Sequence, residues 1–396
     1  MRARFLSALT TRITSGCSKR LPSKAAASEE GKRILSHPAH PELLVAALAR
    51  WYVEPLSDVR TPLADFFSIL LGWRSIVILV LLVGLLAFPI GCAAEHDGSL
   101  RSTDDGGWQP WQILETQTGR VLPFSELITT LEQHDIVYLG EEHHNPYHIQ
   151  AALKVLDQLV ADGIEPTIGM EMFGWDGQPA LDGYVATTQP VTNEFLERVR
   201  WKQNWGGAFE DYAPLVTFAR DRHLSVRAMN PPKPLVRRVV KVGLDQARQE
   251  AEWAPWGILQ EEIVDDPAYR DRIVDQLRRC HGGGEELFRT MYEASMVRDE
   301  GMARTLVIRQ EEFRREDGGS RRMIVSYTGG GHIQYNLPVP KRVARRLGGD
   351  VKQTTIYMTS FEPSKTADVR ALMEEPIADY LWLTPMGKSG SAKPCR

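Results

Sequence analysis

A few short segments hold the residues whose types and spacing could do chemistry. Glu141 and His143 stand two apart at the end of the apolar run Ile136–Leu139, so in extended backbone their side chains leave on the same side. A glutamate beside a neutral imidazole can move a proton or ligate a divalent ion. Glu171 lies inside the apolar run Thr167–Met172, between two methionines, where a buried carboxylate needs a cation or hydrogen-bond donors. Arg298 can supply that cation. Leu287, Met291, Ala294 and Met302 recur at steps of three and four along a helix expected from about Glu285 to Arg314, and Arg298 falls on their stripe. Gly329-Gly330-Gly331-His332 places an imidazole behind three residues that let backbone or ligand come close. Each feature has a plain reading: a solvated loop, a structural ion bridge, a turn. Their recurrence at successive strand ends argues for one pocket.

The elements that must position them follow from pattern. Apolar runs at Ile136–Leu139, Thr167–Met172, Leu224–Met229, Met323–Tyr327 and Thr354–Met358 predict strands. Asn145 as N-cap and Pro146 in the first turn open a helix to about Asp162, with Ala152, Val155, Leu156, Leu159 and Val160 on one face. Another helix is expected near Tyr212–Arg222. Strands alternating with helices predict an α/β fold, a mainly parallel sheet flanked by helices in a single large domain over residues 108–375. In such a sheet the carboxyl ends of the strands line one crevice. Asn230 ends the third strand, and His148 follows His144 by four residues at a helix start that favours an anionic group. The aromatic and thioether residues Trp201, Trp205, Phe209, Tyr212, Met291, Tyr292, Met296 and Tyr335 read mostly as core. Their functional alternative is a flat apolar cleft for a large planar ligand, with a Tyr or His to hold its iron.

Charge is uneven along the chain. Of 47 Lys and Arg and 51 Asp and Glu, eleven and six fall in the first 92 residues, leaving 36 and 45 and a net of −9 for the remainder. An acidic domain argues against a phosphate-backbone binder, so no nucleic acid is expected. Four cysteines are too few for a disulfide scaffold, and no structural disulfide is expected between Cys280 and Cys395.

The run Ile76–Ile90 is apolar throughout and ends in Gly91-Cys92. At fifteen residues it is short of a hydrocarbon core of roughly 30 Å, so it reads as a signal segment over 76–92, with a permanent anchor as the rival. Pro89-Ile90-Gly91-Cys92 resembles a bacterial lipobox, which implies lipidation at Cys92, a linker over 93–107 and export to a bacterial cell membrane, the outer membrane foremost. Residues 1–75 form an extension: either translation starts later, near Leu70, Leu71 or Val77, or the acid-free, six-fold basic stretch Met1–Ser28 is a targeting peptide. Residues 376–396 read as a C-terminal tail.

Tyr138-Leu139-Gly140-Glu141-Glu142-His143 resembles the opening motif of the ChaN family of the Tiki superfamily. Gly169–Phe173, the block Trp201–Tyr212, Val297-Arg298-Asp299 with Met302-Ala303, and Gly330-Gly331-His332 with Tyr335 follow in matching order, over about Val121 to Val343. The resemblance implies a haem-binding, iron-uptake lipoprotein, and a fold shared with erythromycin esterase-like hydrolases. Carried over residue by residue, Glu141, His143, Glu171, Arg298 and His332 match the superfamily's polar positions. The haem ligand stays open among Tyr147, His148 and Tyr335, with Arg298 and His332 near the cofactor. The chain departs from the pattern at Asn230-Pro231-Pro232-Lys233.

Three functions are therefore weighed. One is haem binding without turnover. The second is hydrolysis, in which Glu141, His143 and His332 activate water directly or through a divalent metal that they ligate, while Arg298 steadies negative charge. The third is a lipid-tethered interaction module. The expected partners are haem or another small molecule, the membrane through the lipid, and a second copy of the chain.

Overall fold

In the computed structural model, which describes residues 107–188, 190–316 and 321–387, the expected strand runs pair into one eight-stranded sheet. The strands are β1 (Ile113–Glu115), β2 (Val121–Leu122), β3 (Ile136–Glu141), β4 (Ile164–Gly174), β5 (Val226–Asn230), β6 (Arg321–Gly329), β7 (Gln353–Ser360) and β8 (Tyr380–Thr384). Their order is β2-β1-β8-β7-β3-β6-β4-β5. From β8 to β5 every pairing is parallel, and β1 runs antiparallel to both of its neighbours. The leading extension, the segment 76–92 with Cys92, the linker up to residue 106 and the last residues of the chain lie outside the described residues.

The main helices are α1 (Phe124–Leu131), α2 (Pro146–Ala161), α3 (Gln178–Ala186), α4 (Ala213–Asp221), α5 (Lys233–Val242), α6 (Pro267–Cys280), α7 (Glu285–Arg315), α8 (Val339–Arg346) and α9 (Thr366–Glu374), with shorter helical segments in the longer connections. They cover both faces of the sheet, as parallel strands require. Strand periodicity of two sorts the core accordingly. Val137, Leu139, Ile168, Met170, Val325 and Tyr327 pack on one face against Ala152, Val155, Leu156 and Leu159 of α2 and Leu215 and Val216 of α4. Ile136, Tyr138, Met229 and Ile324 pack on the other face against Met302, Ala303 and Leu306 of α7 and Val339 and Val343 of α8. No helix among the described residues is long and apolar enough to cross a membrane.

Two expectations are corrected. The domain does not stop at residue 375, because Tyr380–Thr384 of the expected tail is the buried strand β8, which joins β7 to β1. Five apolar residues without alternation carry little pattern, and the pairing of β8 is supplied by segments far away in the chain. Cys280, at the end of α6, is disulfide-bonded, where no structural disulfide was expected. Its partner lies outside the described residues.

Candidate functional site

Two polar clusters are built at the carboxyl edge of the sheet, one rooted on each face. Glu141 shares the parity of Val137 and Leu139 and so faces α2 and the aromatic block. Its carboxylate accepts from His143 Nδ1 at 2.7 Å, from the Tyr212 hydroxyl at 3.0 Å and from the Tyr327 hydroxyl at 2.5 Å. Burial, and after it the Glu141 carboxylate, pushes both phenols well above their ordinary pKa, so they stay protonated as donors. The His143 ring meets Trp205 edge-on, with centroids 4.8 Å apart. The loop after β3 is pinned on either side. Asn145 caps α2 by accepting from the Tyr147 N–H at 2.9 Å and donates to Ser360 Oγ at 2.9 Å. Glu142 accepts from Thr359 and Ser360 at the end of β7.

Glu171 has the opposite parity and faces α7. It is wholly buried and accepts from Arg298 at 2.6 Å, from the Thr328 hydroxyl at 2.7 Å and from the Gly329 N–H at 2.6 Å. Arg298 also donates to Asn230 Oδ1 at 3.3 Å, and Asn230 Nδ2 donates to the Glu171 carbonyl at 2.6 Å. His332 stands between two carboxylates, with Nδ1 2.6 Å from Asp299 and Nε2 3.3 Å from Glu171. Tyr269 donates to the second Asp299 oxygen at 2.6 Å. Burial works against a charged His332, but the Glu171 and Asp299 carboxylates outweigh it and raise its pKa to about 9. Burial opposes ionisation of Glu171 too, yet His332 and Arg298 hold its pKa well below the usual range.

The two clusters meet across the sheet edge. Glu141 is in register with Gly329, the residue whose N–H binds Glu171, and the His143 imidazole is near enough to contribute to the lowering at Glu171. At neutral pH the assembly holds His332 protonated, an acid, beside an imidazole–carboxylate pair. Arg298 is committed to Glu171 and Asn230, so it positions Glu171 rather than facing a ligand.

Other expected residues lie elsewhere. Glu141, His143 and His332 do not join as a ligand set, and no group of three or more His, Cys, Asp or Glu able to hold a metal ion occurs among the described residues. The room left by the glycines belongs to protein side chains: a Cβ on Gly140 would meet Ile333 at 2.5 Å, and one on Gly330 would run into the Tyr357 ring. Trp201, Trp205, Phe209 and Tyr212 are buried core, not a cleft. His148 is fully buried, its Nδ1 accepting from the Glu142 N–H at 2.9 Å, and burial lowers its pKa. Tyr147 is half-buried edge-on to Trp111. Tyr335 lines a cavity of about 330 Å³ shared with Arg272, Asp275, Gln276, Arg279, Cys280 and Gln334. Sequence reasoning missed Asp299, Tyr212, Tyr327 and Thr328 as members of the clusters. The one available signal was the adjacency of Asp299 to Arg298.

A family model described as haem-binding uptake, Tiki superfamily, ChaN, matches residues 127–343. Among curated proteins, the chain is 22% identical over 276 residues to Protein RETICULATA-RELATED 5, chloroplastic, of Arabidopsis thaliana, covering 66% of this chain and 34% of that protein. The chain thus spans about a third of the length of that relative. Among solved structures it is similar to ChaN of Campylobacter jejuni, described as showing cofacial haem binding, at 17% identity and TM-score 0.49, covering 68% of this chain and 95% of that one. It is also similar to an erythromycin esterase in its open conformation, at 16% identity and TM-score 0.35, covering 63% of this chain and 76% of that one. The family match takes in both polar clusters and Tyr335 and extends over more than half of the sequence, and on that ground the chain belongs to the ChaN family of the Tiki superfamily.

Proposed function

We propose that this protein binds haem, with Tyr335 as the iron ligand, and that it serves iron uptake. Membership of a family described as haem-binding uptake carries the reading, and the placement of the three candidate ligands supports the choice among them. His148 is sealed inside the fold. Tyr335 lines a cavity. The Arg272 guanidinium lies 3.8 Å from the Tyr335 ring centroid, and Arg279 lines the same cavity. Arg272 is paired with Glu375 and Arg279 with Asp275, both solvent-accessible pairs, so Tyr335 would hold the iron and a propionate would exchange with those carboxylates. Bound there, haem would supply an iron centre to be carried, and no turnover is required. Titration of the full-length protein with haemin tests the reading. A Soret band that saturates at a defined stoichiometry and is lost in Tyr335→Phe is expected, and non-saturating broadening would count against it.

A second reading rests on His332, held between Asp299 and Glu171 beside the Glu141–His143 pair. That arrangement is equipped for proton transfer in hydrolysis, with His332 as the acid and Glu141–His143 as the base. An esterase and amidase screen decides it: turnover lost in folded Glu141→Gln and His143→Ala variants supports it, and absence of turnover in the parent rejects it.

The address is likewise proposed. Lipidation at Cys92 with export is one form, and an organelle-targeting leader is the other, which the chloroplastic name of the plant relative favours. Mass spectrometry of the native N-terminus separates a diacylglyceryl-modified Cys92 from a leader cut elsewhere. A second copy of the chain as partner is tested by the mass of the haem-loaded protein in solution.

A further inference from the structure

A second cavity of about 330 Å³ lies apart from both polar clusters and from Tyr335, between the segment after β4, the β5 edge and the outer turns of α7. Two indoles wall it: Trp175 and Trp256, with ring centroids 6.4 Å apart. Both are half-buried, and Ile308 at the rim is 45% exposed. The remaining walls are cationic. Arg227, Arg304 and Arg309 line the space against one carboxylate, Glu312, which is shared by Arg227 at 3.1 Å and Arg309 at 2.9 Å. Glu261 and Glu316 hold Arg304 and Arg309 from outside the lining, and each is itself shared with another arginine, Arg346 and Arg322. The lining itself carries three arginines against one glutamate, in a domain whose net charge is acidic.

Two of the neutral polar groups in the walls are already satisfied. Trp175 Nε1 donates to Thr305 Oγ1 at 2.9 Å, and the Gln178 amide is occupied on both sides by the β5 backbone, with Val226 and Ala228. Arg304 uses donors on the Trp256 carbonyl and on Glu261, which leaves others of its five N–H groups. Flat aromatic walls select a planar ring, and guanidinium groups select an acid in that plane. We propose that this cavity is a binding site for a small planar aromatic carboxylate of about the size of naphthalene. The site is independent of the haem proposal, since it shares no lining residue with Tyr335.

Calorimetric titration of the full-length protein with 2-naphthoate tests this, with 2-naphthamide as the uncharged control. Saturable one-to-one binding at about 1 mM or tighter is expected for the acid, and binding at least about tenfold weaker for the amide. Ile308 is exposed, so both Ile308→Asp and Ile308→Lys should fold. The aspartate should weaken 2-naphthoate at least about tenfold, and the lysine should leave it equal or tighter. No saturable binding, equal affinity for acid and amide, or equal losses in the two variants would each overturn the proposal.

Discussion

Replacing Glu171 by glutamine removes one charge and keeps the shape. Arg298, 4% exposed, then loses its carboxylate at 2.6 Å. A buried charge left without its partner typically costs about 3–5 kcal/mol, so that loss is expected near neutral pH. The same substitution alters how stability depends on pH. In the parent protein the pKa of His332 is raised to about 9 by Glu171 and Asp299 against the effect of burial, while the unfolded chain has about 6.5. A raised pKa stabilises fully below the unfolded value, and the benefit is lost as pH rises through the folded one. The loss over that window is on the order of 3 kcal/mol. Without Glu171 only Asp299 opposes burial, so the decline should shrink by half or more. Urea unfolding followed by circular dichroism at pH 6 and pH 9.5, for parent and variant, measures both effects, and the comparison cancels the other groups that titrate. A variant within about 1 kcal/mol of the parent at pH 6, or one with the same decline to pH 9.5, would refute the reasoning.

Further outcomes follow from the same contacts. Asn145→Ala should cost about 1–2 kcal/mol in urea unfolding, since it removes the cap on Tyr147 N–H and the bond to Ser360. Gly140→Ala should cost about 1–3 kcal/mol by overpacking against Ile333, and Ile333→Ala in the same chain should recover part of that, so the pair is non-additive. Deleting everything after residue 375 removes β8 and should abolish cooperative thermal unfolding. Asp299→Asn should lower the pKa of His332 in a carbon-detected NMR titration, since Asp299 is one of the two carboxylates that raise it.

Much of the sheet was legible because β3, β4 and β6 are buried on both faces and read as continuous apolar runs. Asn145-Pro146 announced α2 for a local reason, the N-cap and first-turn chemistry. The pairing of Glu141 with His143 was expected on the condition that extended backbone persists, whereas β3 ends at Glu141 and His143 meets it from the turn that follows. Glu171 with Arg298, 127 residues apart, was legible because a charge inside an apolar strand and a charge on an apolar stripe each need a partner. Asp299 escaped the same logic. One residue turns a helix by about 100°, which carries Asp299 off the stripe, yet α7 is buried all round from Met296 to Ala303, so a single-stripe reading was too narrow. Tyr212 and Tyr327 were hidden because an aromatic residue in an apolar setting reads the same whether or not its hydroxyl serves an acid. Parity shows which residues of one strand share a face. It does not relate the faces of two strands, which is why a single hollow was expected where two clusters meet over an edge.

Crystals of the full-length protein soaked with haemin, with iron located by anomalous scattering, test the central claim most directly. Iron at the Tyr335 hydroxyl with the propionates toward Arg272 and Arg279 is the predicted result. Iron beside Glu141, His143 or His332, or no ordered iron at full haemin occupancy in solution, would contradict it.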